Sequence, residues 1–433
     1  MSLTAELIAL IREKPVAPGD LARAADFVLD TLACAIAGKD SIPGRALLAL
    51  ARQRGDAPHH QAFLWGGLAH IVEMDDLHRP SVVHPGSVVI PAAWALAQAQ
   101  GVDGPTFLRA VLWGYEACCR VGNSVGKGHY AVWHNTATCG PFGSAMAAAL
   151  LLDLDVHQTR WALGNAGTQA AGLWQFLPDG AMSKHLHTAR GAEAGLTAAQ
   201  LAGLGFTGPD RILEGPKGFY AGACPDPDPT AVTRAPEAPW QLQLTSMKPY
   251  PCCRHTHPAI DAALTLFGRV PSHAIQGIEV ATYRAAMDVC DRPRPQTPNH
   301  AKFSLQHCVA QALTRGQVGF TSFDAPAREA AAPLAERVAL VHSGDAEGRY
   351  PEHWSATVGV ATAEGVLEAH CHEAAGDPQR PLERTQLLAK VDQVLAFAQL
   401  APDQRTGFID TVLGLTDPGA RVPPLAALAL GPE

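Results

Sequence analysis

The sequence predicts a mainly helical protein, with a smaller α/β (α+β) stretch of roughly 130 residues in its second half. Three observations carry that fold class. Apolar residues recur at helical spacing through most of the first 200 positions. A Pro- and Asp-rich run, Cys224-Pro-Asp-Pro-Asp-Pro, then interrupts the pattern. Beyond it, short alternating segments of strand type are mixed with helical ones until helical spacing returns near the end.

In chain order, Ala22–Ala37 keeps the helical period and stops at Gly38. Gly86–Gln100, Pro105–Val121, Pro141–Leu152 and Val156–Leu173 follow with the same habit. Asp155 with Gln158 reads as a capping box, aspartate standing for the usual hydroxyl. The runs Gly143-Ser-Ala-Met-Ala-Ala-Ala, Gly164-Asn-Ala-Gly and Gly191-Ala-Glu-Ala-Gly carry little bulk, which favours close helix approach. No strand precedes them, so they are not dinucleotide-binding turns. After the linker-like stretch ending near Trp240, Gln276–Tyr283 alternates like a strand and Phe303–Arg315 reads as a helix. Val338–His342 is a short strand, and Ser355–Thr362 with Val366–His372 a hairpin about Glu364-Gly365. Leu382–Leu400 and Gln404–Leu415 are helical.

Composition narrows the function classes. Hydrophobic residues make up 47% and charged residues 17% of the 433, the balance of an ordinary globular chain rather than a disordered one. A net charge of −8 argues against nucleic acid as partner. The start lacks a signal-peptide pattern and no apolar run is long enough to span a membrane. The ten cysteines then read as reduced thiols, and a cytoplasmic location is expected.

The densest chemistry lies in Glu73-Met-Asp-Asp-Leu-His-Arg-Pro-Ser-Val-Val-His-Pro. Glu73, Asp75, Asp76, His78, Arg79 and His84 crowd between two apolar helices, and Pro85-Gly86 opens the second one, whose first amides suit an anion. His134 precedes an Ala-rich helix on a segment that Gly140 and Pro141 should keep irregular. Lys184 and His187 share one face of a helix beginning near Ser183. In Lys248-Pro-Tyr-Pro-Cys-Cys-Arg-His-Thr-His the spacing of Cys252, Cys253, His255 and His257 does not fit a zinc site, and no metal is assigned.

These stretches resemble, in order, five blocks of the MmgE/PrpD family. That family includes 2-methylcitrate dehydratase, cis-aconitate decarboxylase and iminodisuccinate epimerase. The acidic loop is similar to "DFDDTHxPSxxHPS", the His134 segment to "HxTxxxGxxGAA", the Lys184 segment to "KxLHxG". The Lys248 segment is similar to "KxYPxCxxxH", and Ala301-Lys-Phe-Ser-Leu-Gln-His-Cys-Val-Ala to "KFSxxYxxA". Glu73 replaces the first Asp of the loop, Leu77 the usual Thr, and His307 the usual Tyr. The last two substitutions suggest a subfamily distinct from the dehydratase and the decarboxylase.

The resemblance implies a large all-helical domain, 1–243 completed by 379–433, with an α/β lid domain at 244–378. It implies a homodimer and no cofactor. It also implies a lyase or isomerase (dehydratase, decarboxylase or epimerase) acting at the carbon α to a carboxylate of a small di- or tricarboxylate. His134, His84, Lys184, Glu73, Asp75, Asp76 and His307 are then the expected catalytic groups. Lys248, Arg79, His187, Arg254 and His255 are the expected substrate contacts. Which of His134 and His84 is base and which is acid stays open. The competing readings are a metal-assisted hydro-lyase and a non-catalytic carboxylate-binding relative.

Overall fold

A computed structural model describes residues 2–425. The chain divides into two compact units, one comprising 1–246 and 383–433 and the other 247–382. The molecule is mainly helical, with one four-stranded sheet in the second unit.

The first unit is built of helices that the sequence starts and stops by ordinary means. Pro18–Gly38 begins with Pro at its first position and Asp20 accepting from the Ala17 amide, and it buries Phe27, Val28, Leu29, Leu32 and Ile36. Asp103 caps Gly104–Ser124 by accepting from Thr106 N–H. The expected capping box of Asp155 and Gln158 is present at Val156–Gly167. Gly86–Gln100 forms over the expected span and is stopped by Gly101 in the left-handed region.

Three central helices, Gly104–Ser124, Asn135–Leu151 and Ser183–Gly203, approach closely because glycine leaves room. A methyl group on Gly143 would meet Gly114 O at 2.7 Å, and one on Gly195 would meet Pro141 O at 2.3 Å. The predicted closing helices are Arg384–Phe397 and Pro402–Leu413. The first of these packs on Pro18–Gly38, where Lys390 pairs with Asp30 at 2.5 Å, both buried.

Two helix expectations are corrected. Pro141 does not keep its segment irregular: the helix runs Asn135–Leu151 with Pro141 inside. Tertiary packing accounts for this, since Ser144 Oγ bonds both Gly140 O and Gly191 O and so ties the proline turn to the neighbouring helix. The helix expected over 156–173 stops at Gly167, and an irregular segment follows in which Gly172 has φ +143. That conformation suits glycine and not a continuing helix.

In the second unit the sheet order is β2-β1-β3-β4, with β1 Gly277–Thr282, β2 Val338–His342, β3 Ala356–Thr362 and β4 Gly365–Cys371. β1 and β2 are parallel; β1–β3 and β3–β4 are antiparallel, the latter closing on Thr362↔Gly365. His257–Leu266 packs on β3 and β4, and Leu305–Arg315 lies against His257–Leu266. No helix among the described residues is long and apolar enough to cross a membrane, and all ten cysteines are free and buried.

Candidate active site

The helix Pro58–Ala69 ends at His70, and the chain then crosses to Gly86 through a loop that is almost wholly buried. Glu73 adopts φ +59, a left-handed conformation unusual for a side chain of its size, at a cost on the order of 1 kcal/mol. It is held there by a partner: Lys184 Nζ lies 2.5 Å from Glu73 Oε1, and both side chains are buried. The lysine that would oppose its helix dipole is therefore matched by a carboxylate from another segment.

Asp75 sits between two imidazoles. Its Oδ2 lies 2.6 Å from His70 Nδ1 and 3.2 Å from His84 Nδ1. The closer partner of His84 Nδ1 is the Asp76 carbonyl at 2.6 Å, so that nitrogen carries the hydrogen and donates it. The His84 backbone N–H donates to Thr136 Oγ1 at 3.0 Å, and Asn135 Nδ2 donates to Ser81 O at 2.7 Å. These two bonds tie the acidic loop to the start of the His134 helix.

Asp76 faces the other way. It accepts from Tyr115 O–H at 2.7 Å and from Gly86 N–H at 3.0 Å. The anion expected at the Gly86 helix start is thus the protein's own carboxyl group. Burial, offset in part by those hydrogen bonds, holds the Asp76 pKa well above the ordinary carboxylate range. His78 Nδ1 bonds Ser81 Oγ at 2.7 Å, and burial pushes its pKa down to about 3. Arg79 is buried as well.

His134 caps its helix by position, and its backbone N–H donates to Gly172 O at 2.9 Å. Its Nδ1 lies 3.1 Å from Nδ1 of His187. Its Nε2 is buried and has no hydrogen-bond partner among the described residues. Trp174 at 4.8 Å and Phe176 at 6.2 Å wall the ring, His70 stacks near-parallel at 6.0 Å and His84 lies edge-on at 6.5 Å. Desolvation, reinforced by His187, His70 and Lys184, lowers the His134 pKa well below that of a free imidazole. Burial, with Lys184 in second place, brings His187 to about 4, and burial also lowers His70.

The helical unit therefore brings together Glu73, Asp75, His84, His134, Lys184 and His187, all named from sequence. Sequence reasoning passed over His70, Trp174 and Phe176. His70 stands just before the acidic loop, five residues ahead of Asp75, and that spacing is a usable signal. Trp174 and Phe176 follow the helix expected over 156–173, and nothing in their spacing marks them.

In the second unit the four expected groups are also buried. Arg254 is committed to Asp377, to Ala375 O at 3.1 Å and to His257 Nδ1 at 2.7 Å. His255 Nδ1 bonds Tyr283 O–H at 2.8 Å, its ring stacks on Trp354 at 4.2 Å, and burial drives its pKa down to about 3. His307 Nε2 donates to Ser322 O at 2.8 Å, and Lys248 is 1% exposed. Leu77, in the first unit, is apolar and buried, exchanging backbone hydrogen bonds with Ser246.

One group of side chains has the composition of a metal site. Donor atoms of His70, Asp75 and His84 lie within 4.8 Å of one another, two imidazoles and a carboxylate. A cation there would have to replace the hydrogen bonds that Asp75 now accepts. The cysteine and histidine run at 252–257 forms no such group among the described residues.

The depressed histidines have a consequence for stability. A histidine that stays neutral in the folded state binds its proton less readily than in the unfolded chain, so its contribution is complete above about pH 6.5 and is lost as pH falls. His78, His187 and His255 place that loss between about pH 6.5 and the range of 3 to 4. The raised carboxyls Asp26, Asp30 and Asp76 act in the opposite sense. The shifted histidines outnumber them among the described residues. The melting temperature is expected to be level from pH 8 to about 7 and to fall steadily toward pH 4.5, as scanning calorimetry in matched ionic strength would show.

Comparison with known proteins gives the family. Residues 4–231 match the MmgE/PrpD N-terminal domain and residues 250–415 the MmgE/PrpD C-terminal domain. A cis-aconitate decarboxylase-like protein of Aspergillus oryzae is 29% identical over 388 residues, 79% of this chain and 80% of that protein. The human cis-aconitate decarboxylase is 28% identical over 288 residues, covering 61% of this chain and 57% of the human one. That of Aspergillus terreus is 29% identical over 213 residues, 46% and 43% of the two chains.

Proposed function

The chain belongs to the MmgE/PrpD family, and from that premise we propose that it is a lyase acting at the carbon α to a carboxylate of a small di- or tricarboxylate. The relatives named cis-aconitate decarboxylase favour loss of CO₂ over loss of water within that class. The observation that carries the reading is His134 Nε2. It is a buried imidazole nitrogen without a hydrogen-bond partner among the described residues, in the cluster that holds Lys184, Glu73, Asp75 and His84.

Removal of CO₂ from an unsaturated or β-substituted acid leaves carbanion character on the α carbon. An ammonium group placed beforehand stabilises that charge without reorganising, and one such donor is typically worth about 3 kcal/mol. Lys184 is that group in the helical unit, and Glu73 fixes its position. The substrate carboxylate meets Lys184, with Arg79 as a second cation of the same unit. A proton must then reach carbon. His134 delivers it from Nε2, while His84 is held in place by the bond from its Nδ1 to Asp76 O. Asp75 orients His70 and His84 and stabilises positive charge on either. This division makes His134 the general acid of a decarboxylation; a reaction that begins by abstracting a proton reverses it.

Leu77 and His307 stand where the family carries hydroxyl groups, and they change what the substrate meets. The Leu77 side chain offers no hydrogen bond, so a substrate hydroxyl finds no side-chain partner there, which favours an unsaturated or less oxidised acid. A homodimer is part of the same proposal.

The test is a panel of citrate-, aconitate- and aspartate-like acids incubated with the purified chain, products being read by NMR. Conversion of at least one with release of CO₂ or water supports the reading. Thermal stabilisation by these acids with no product from any of them supports the non-catalytic alternative. The His70–Asp75–His84 group keeps the metal-assisted reading in play. Elemental analysis and dialysis against a chelator are expected to leave turnover unchanged; loss of activity restored by one divalent cation would establish that reading instead.

A further inference from the structure

We infer that His187 is a positioning residue and proton relay for His134, joined to it through the Nδ1···Nδ1 hydrogen bond of 3.1 Å. The inference rests on the catalytic reading of His134 given above and assigns His187 a role other than contact with substrate.

A hydrogen bond between two imidazole nitrogens holds one hydrogen, so one ring donates and the other offers its lone pair. When His187 donates, neutral His134 carries its own hydrogen on Nε2 and presents an acid. When His134 donates, its Nε2 is a bare lone pair and presents a base. The state of one ring sets the state of the other, and the nitrogen that reports it is the buried, unpartnered Nε2. Both imidazoles are held below their usual pKa by burial, so both are neutral near pH 7 and the bond is of this shared kind.

The surroundings are built for the pair. Gly172 accepts the His134 backbone N–H, and a methyl group on Gly172 would sit 3.2 Å from His187 Nδ1 and 2.4 Å from Ala137 Cβ, so only glycine leaves the bond room. Phe176 stands edge-on to His187 at 5.4 Å and Trp174 lies 4.8 Å from His134. The charged and titratable groups near the pair are Lys184, His70 and His84. His134 is buried whereas His187 is only half-buried. The second ring thus connects the first to solvent.

The step balances. The His134 Nε2–H bond breaks as the carbanion gains its C–H bond. His134 Nδ1 takes hydrogen from His187 Nδ1, and His187 takes one from water at Nε2. Both rings remain neutral with their tautomers exchanged, and the hydroxide formed is neutralised by the buffer. Water entering the emptied site reverses the shift and resets the pair.

The test uses the full chain labelled with ¹⁵N-histidine and the same chain carrying His187→Ala. Without substrate, the wild type is expected to show two Nδ1 resonances coupled through one hydrogen, and the variant to lose the coupling. With an acid that the wild type converts, His187→Ala should lower kcat by about 10²-fold with KM little changed, and added imidazole should restore part of it, as general acid–base catalysis predicts. Absence of the coupling in the wild type overturns the inference. So does a variant with full kcat, or one whose KM rises while imidazole has no effect. Because the spectrum needs no substrate, failure of the wild type to convert any acid counts against the carboxylate reading alone.

Discussion

Lys184→Met is expected to abolish turnover and to destabilise the fold by about 3–5 kcal/mol, the usual consequence of removing one partner from a buried ion pair. The two effects have one cause. Lys184 Nζ lies 2.5 Å from Glu73 Oε1, and Glu73 holds a left-handed backbone conformation at the centre of the acidic loop. Without the ammonium group, Glu73 is left as a buried carboxylate facing apolar methionine and the loop loses its fixed point. Adding Glu73→Gln is expected to recover much of the melting temperature, because the buried carboxylate that lost its ammonium partner is gone. It should recover no activity, because the cation that meets the developing negative charge is still missing. Calorimetry and turnover on the two single variants and the double variant separate the structural part from the chemical part. Equal recovery of both would mean that Lys184 serves the fold alone.

His134→Gln is expected to lower kcat by about 10²–10⁴-fold with a change in melting temperature of no more than a few degrees. Glutamine keeps the backbone N–H that donates to Gly172 O and is close to histidine in volume, so the helix start at Asn135 has little reason to move. What it lacks is a nitrogen able to exchange a proton near neutrality. A variant of unchanged kcat would move the proton transfer to His84.

Much of this arrangement was legible before any coordinates, for identifiable reasons. The helix Gly86–Gln100, the start of Ser183–Gly203 and the strand Val338–His342 lie where the sequence pattern puts them. The segments misread were those where tertiary contacts outweigh local rules. Pro141 lies inside a helix because Ser144 and Gly195 pack it against a neighbour. The helix expected to reach residue 173 stops at Gly167, and Trp174 and Phe176, just beyond, wall His134 instead of continuing it. Within the site, the acids and imidazoles were visible as a dense run, yet their division of labour was not. Asp75 and Asp76 are adjacent in sequence and point to different partners, one to His70 and His84, the other to Tyr115 and Gly86. No spacing rule distinguishes them. His70 was overlooked because an imidazole at a helix end reads as structural until its carboxylate is located.

The most direct test is turnover of a converted acid in D₂O, with the product examined by NMR for the position and number of deuterons. One deuteron at the carbon that was α to the departing group, delivered to a single face and lost along with turnover in His134→Gln, is the predicted result. Product with no solvent deuterium at that carbon, or the same labelling and rate in His134→Gln, would contradict the account.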